Sequence, residues 1–187
     1  HSMYPLAAGI RAVTKGESGS HTVLSAQRSA RFLCPLQHLE SVEDLYWAGE
    51  WIKTILVLNG MSPSFRQQEE VLSALKALQT GADRSLSTFL SFIRDGDVRR
   101  VLQDYTTGGP LGTLLDGDAD MLPDADFSVV ALQEVMPLGD KFSLPVLLHL
   151  LKRLERGLDG RPTAILLDDS WQALLHPAVR ANLRAWI

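Results

Sequence analysis

Cysteine is nearly absent. Cys34 is the single one in 187 residues, so no internal disulfide can form, which fits a reducing compartment. Long apolar runs are missing too: none reaches the ~18 residues of a membrane-spanning helix. The opening residues His1-Ser2-Met3-Tyr4-Pro5 hold no charged segment followed by an apolar core, so no signal peptide is expected. Positive charge is not in excess. The net charge is −4 and the pI near 5.7, which argues against a dedicated nucleic-acid binder. What is present is a globular composition: 45% hydrophobic residues exclude long-range disorder, and the length suits one domain, or one plus an insertion. A chain this long buries roughly 70% of its unfolded surface and needs no disulfide or metal staple.

The apolar spacing predicts a helix-rich middle. Ser41 can cap a helix through Val42, Leu45, Ala48, Ile52, Ile55 and Leu56, ending at Asn59-Gly60. Ser62-Pro63 reads as an N-cap with an N1 proline, opening a second helix through Phe65, Leu72, Leu75 and Leu78 to about Gly81. Two shorter patterns, Leu86 to Ile93 and Val98 to Tyr105, follow before Gly108-Gly109-Pro110 breaks the run. Downstream, Phe127 to Leu132 and Thr163 to Leu167 are short, apolar runs that read as strands. The leucine stripe Leu144, Leu147, Leu148, Leu151, Leu154 and Leu158 lies between them. That order predicts a right-handed βαβ unit with 127–132 and 163–167 parallel and adjacent. A last helix is expected from about Pro177 to Trp186, and short strands at His21 to Leu24 and Phe32 to Leu33. The fold class is therefore α/β with a mostly helical insertion.

The sharpest chemical feature is the end of the later strand, Ile165-Leu166-Leu167-Asp168-Asp169. Ligands in open α/β sheets sit beyond the carboxyl ends of strands, where two carboxylates suit a hydrated metal. An apolar strand ending in two acids has the form of a Walker B motif: Asp168 would hold Mg²⁺ and Asp169 would orient or deprotonate the attacking water. Equally, Asp169 or Ser170 could cap a following helix. Other motifs fail. Gly9 to Gly16 approaches a phosphate loop, but Thr14 stands where a glycine belongs and Gly16 where Ser or Thr should hold Mg²⁺. Gly16-Glu17-Ser18-Gly19-Ser20 lacks the last glycine of a nucleophile elbow. Asp116, Asp118 and Asp120 mimic a calcium loop, but Met121 and Phe127 occupy its glycine and glutamate positions, leaving a solvated acidic turn. The five histidines have no metal-ligand spacing, and His149 reads as a packing residue in a leucine-rich helix. Trp47 and Trp51, one turn apart, read as core or interface.

A co-linear set of segments carries a resemblance. Tyr105-Thr106-Thr107-Gly108-Gly109-Pro110-Leu111-Gly112, Leu144-Pro145-Val146-Leu147, Asp159-Gly160-Arg161-Pro162-Thr163, Leu167-Asp168-Asp169-Ser170-Trp171, His176-Pro177 and Leu183-Arg184-Ala185-Trp186 occur in that order. Upstream stand Ser2-Met3-Tyr4-Pro5-Leu6, Phe32-Leu33-Cys34-Pro35-Leu36 and Trp47-Ala48-Gly49-Glu50-Trp51-Ile52. The whole resembles the conjugal-transfer and type IV secretion ATPases of the TrbE kind, most weakly over 7–30.

The resemblance implies a RecA-like P-loop motor that uses Mg²⁺ and ATP. Such motors are hexameric in models of action, act at the cytoplasmic face of the bacterial inner membrane, and energise pilus assembly and substrate transfer. Residues 1–40 and 106–187 would be part of the ATPase core, with 41–105 as the helical insertion. Asp168 takes the metal position. Asp169 takes the catalytic position, where the family carries glutamate, and is one methylene short. That shortening draws the carboxylate roughly 1.5 Å back, and a displacement of about 1 Å can cost ~10²-fold. The family's phosphate loop precedes the residues matching Ser2-Met3, so a fragment with no nucleotide-binding residues of its own and no activity alone is expected. The expected partners are other secretion-system subunits and further copies, because unpaired sheet edges recruit other chains. Membrane contact would be indirect, and no sequence-specific nucleic-acid binding is expected. The alternative is a non-catalytic, helix-rich interaction module of a secretion apparatus.

Overall fold

The computed structural model describes residues 19–24, 32–122, 127–160, 162–166, 176–177 and 179–180. Four capped helices form its middle. In α1 (Val42–Leu58), Ser41 and Asp44 make a reciprocal capping box, and Gly60 takes the left-handed conformation (φ 81°) just past the end. The next helix, α2 (Phe65–Gln79), is capped by Ser64 with Gln67, not by Ser62. A capping box needs a side chain that can accept from the cap's N–H three residues on, and Ser64 has Gln67 there whereas Ser62 has Phe65. Ser85 caps α3 (Leu86–Phe92), and Asp95 caps α4 (Gly96–Gln103) through the amides of Asp97 and Val98.

After α4 the chain folds tightly back into a single turn, α5 (Gly112–Leu115). A Cβ on Gly112 would lie 2.0 Å from the Thr106 carbonyl oxygen, so only glycine admits this approach. Phe32-Leu33, expected as a strand, is instead irregular and threads this turn: Leu33 N donates to Leu114 O and Gly117 N to Leu33 O. Among the described residues no second strand lies alongside it to extend a ladder.

Two strands pair in parallel, β1 (Gly19–Val23) with β2 (Phe127–Ala131), in register from Gly19–Phe127 to Val23–Ala131. Parallel strands need a crossover connection, and here α1 to α5 all lie within it. The expected partner of 127–132 is therefore corrected. Residues 163–166 form no strand, and Leu166 is 64% exposed. Apolar, β-branched residues make a strand only where a neighbour covers them. The described part of the last helix, at 177 and 179–180, is helical, with Val179 buried.

Helix α6 (Asp140–Gly157) is the centre of the packing: every residue from Ser143 to Lys152 is buried. Its Pro145 cannot donate to the carbonyl of Lys141, four residues back. The Tyr105 hydroxyl donates to that carbonyl instead, at 2.6 Å, and itself accepts from Asn59 Nδ2 at 2.8 Å. The Trp51 indole N–H donates to the Pro145 carbonyl at 3.0 Å, tying α1 to α6. Trp51 also stacks on Trp47 (6.2 Å between centroids), and Arg156 of α6 reaches Asp44 of α1 at 2.7 Å.

Candidate functional site

Asp168 and Asp169, the acids read as metal holder and water activator, lie outside the described residues, as do most of the phosphate-loop-like and elbow-like stretches at 9–20. Among the described residues no three His, Cys, Asp or Glu side chains come together as a metal site. Residues 162–166, which lead to Asp168, are exposed and irregular.

The structure instead assembles buried polar groups around the 105–122 segment that leads into β2, one cluster against α3 and one against α6. Asp116, expected in a solvated turn, is fully buried. Its carboxylate accepts from Ser87 N (2.7 Å) and Ser87 Oγ, and from Thr107 N (2.7 Å) and Thr107 Oγ1 (2.6 Å). A buried carboxylate is tolerable because four donors replace its water. The acidic-turn reading is thus overturned at Asp116 and again at Asp120, and holds for exposed Asp118 alone.

Asp120 is the hub of a second cluster. Its Oδ1 accepts from Cys34 N at 2.9 Å and from His149 Nε2 at 3.0 Å. Arg153 Nη1 stands 3.6 Å from Oδ2, and Asp120 N donates to Gln37 Oε1 at 2.7 Å. Burial pushes the Asp120 carboxyl up, but the His149 ring, the Cys34 N–H and the Arg153 charge outweigh it and hold the group below its ordinary value. His149 is therefore a hydrogen-bonding partner of Asp120 rather than mere packing, and its Nδ1 has no partner among the described residues. The sequence carries one signal of this: His149 and Arg153, one helical turn apart at the end of a buried stripe, are suited to an acid from another element.

This chemistry fixes positions rather than transforming a ligand. Burial raises the Cys34 thiol to about 12, so it stays protonated and is no nucleophile. Burial likewise lifts Tyr105 to about 12, keeping its hydroxyl a donor to Lys141. Two segments that carry the family resemblance meet here, through Trp51 on Pro145.

No family model matches the sequence. Curated proteins do. The chain is 36% identical over 160 residues (86% of its length) to a probable conjugal transfer protein of the TrbE type from Sinorhizobium fredii. It is 33% identical over 183 residues (94%) to the conjugal transfer protein TrbE of Rhizobium radiobacter. The type IV secretion system protein virB4 of Bartonella quintana is 24% identical over 157 residues (80%). The chain is a segment of the conjugal-transfer and type IV secretion proteins. Within that family the TrbE relatives share more of its residues than VirB4 does. It spans only 24% and 22% of the two TrbE relatives' own lengths.

Proposed function

We propose that the chain forms part of the RecA-like ATP-hydrolysing core of a conjugative DNA-transfer or type IV secretion motor. The co-linear match to TrbE over 86% of the chain carries this reading. The parallel pairing of β1 with β2 supports it, since the two strands close across the helices between them and leave 41–105 as an insertion into the core. The sequence form of 165–169 supplies the site. Asp168 holds the magnesium of Mg·ATP, which neutralises developing phosphate charge when bound. Asp169 orients the attacking water from one methylene further back than a glutamate. Both are hard oxygen donors of the kind Mg²⁺ takes. The partners are other secretion-system subunits, and the place of action is the cytoplasmic face of the inner membrane, reached through those subunits. Among the described residues, no helix is long and apolar enough to cross a membrane.

ATP hydrolysis by the full-length protein tests this. Asp168→Ala should abolish magnesium-dependent turnover, while Asp169→Glu should raise it, by up to ~10²-fold if the carboxylate's set-back limits the rate. Turnover indifferent to Asp168→Ala would overturn the motor reading in favour of a non-catalytic interaction module.

A further inference from the structure

The solvent face of α1 is unusual. Val42 is 84%, Tyr46 70% and Val57 53% exposed, and Glu50 and Lys53 sit between them. Spacings of three and four residues put all five on one stripe, opposite the buried Ala48, Ile52 and Ile55. Beside the stripe runs a groove floored by Gly49 and walled by Lys53 of α1 and Val71 and Leu72 of α2. A Cβ on Gly49 would meet nothing nearer than Leu75 Cδ1 at 4.0 Å. The chain's own packing thus does not demand a residue that weakens a helix interior, and the notch is open to an incoming side chain.

The central part of the stripe, from Tyr46 to Val57, is complementary to its own reverse. In an antiparallel pair of helices, residues whose numbers have a constant sum face one another. With Glu50 opposite Lys53, Tyr46 falls opposite Val57. We propose that this face is an isologous interface on which a second copy of the chain docks antiparallel, α1 on α1. A two-fold contact must be self-complementary, and Tyr46, Glu50, Lys53 and Val57 are, in charge and in apolar content. Each Glu50 meets the partner copy's Lys53, joining the Glu50–Lys53 pairs already present within each copy (3.1 Å) into a ring of alternating charge. Exposed ion pairs add little affinity but fix register and orientation. Tyr46 and Val57, buried in the pair, supply the attraction, while Val42 falls opposite position 61, past the end of α1, and takes no part. The inference stands apart from the ATPase reading, because it uses none of that reading's residues.

Charge reversal on the purified chain tests it, with oligomeric state followed by sedimentation over a concentration series. The wild-type chain should dimerise. Glu50→Lys and Lys53→Glu should each weaken the dimer by ~tenfold or more, because like charges then face across the two-fold. An equimolar mixture of the two variants should restore dimers, as should the double variant. A wild-type chain that stays monomeric, or single variants that associate as it does, would overturn the proposal and direct attention to a sheet edge or another protein partner. Crosslinking gives an independent reading if a charge variant fails to fold. Tyr46 and Val57 are eleven residues apart, about 16 Å along the helix, too far for a disulfide within one chain. A Tyr46→Cys/Val57→Cys double variant should therefore form a covalent dimer on oxidation, and Tyr46→Cys alone should not. Equal crosslinking of both would refute the register.

Discussion

Asp120 is held by groups that need its charge. Its carboxylate pairs with His149 and Arg153 and accepts the Cys34 N–H, and the net effect lowers its proton affinity in the folded state. A lowered folded value means that the contribution is complete above the ordinary value of 3.8 and is lost as pH falls through the folded one. Urea unfolding between pH 2 and 6 should therefore show a falling acid limb. Asp120→Asn should flatten that limb and cost about 3 kcal/mol near neutrality, because it leaves His149 and Arg153 without their carboxylate. An acid limb of unchanged steepness in the variant would assign the fall to Asp44, Asp95 and Glu40, which are also lowered. Beyond the His149–Arg153 spacing, these clusters are not legible in the sequence. Asp116 and Asp120 lie among polar residues that ordinarily face water, and their donors come from Ser87, Thr107, Cys34 and His149, most of them on other elements. Only the fold brings these together.

At the scale of elements, helices are the readable part. The 3.6-residue stripe and a serine cap locate α1, the apolar pattern locates α3 and the leucine stripe α6, within a few residues, because such signals are local. The start of α2 reads two residues too early, since Ser62-Pro63 and Ser64 both fit a cap by type and only the Gln67 partner separates them. A pair of alanine variants makes the distinction measurable. Ser64→Ala should cost about 1 kcal/mol in thermal or urea unfolding, and Ser62→Ala within ~0.5 kcal/mol of nothing. The reverse order would return the cap to Ser62. Strand partners are not legible. The run at 127–131 does form a strand, but it pairs with Gly19–Val23, more than a hundred residues upstream. No local pattern encodes a pairing at that distance. The similar run at 163–166 is left exposed.

For the whole molecule, similarity in sequence and content in chemistry part company. The match to TrbE runs along 86% of the chain, yet the 187 residues contain no glycine-rich phosphate loop in which backbone amides and a lysine meet phosphates. Affinity for nucleotide in P-loop proteins comes mainly from that loop. Isothermal titration of the purified chain with Mg·ATP should therefore give a Kd of ~1 mM or weaker, about −4 kcal/mol. Micromolar binding that disappears in Asp168→Ala would mean that these residues build a nucleotide site by other means.

Pro145 also decides how α6 can move. The carbonyl that its ring leaves unpaired is answered by Tyr105 from one side, and its own carbonyl is taken by Trp51 from another. Sliding the helix by one residue means a shift of about 1.5 Å with a turn of about 100°. Such a step would bring a neighbouring carbonyl to the Tyr105 hydroxyl and leave the Lys141 carbonyl, which Pro145 cannot serve, without its donor. The helix is thus keyed at a single notch, as a splined shaft is. One register of α6 against Trp51 of α1 and Tyr105 is thereby favoured over its neighbours by a screw step.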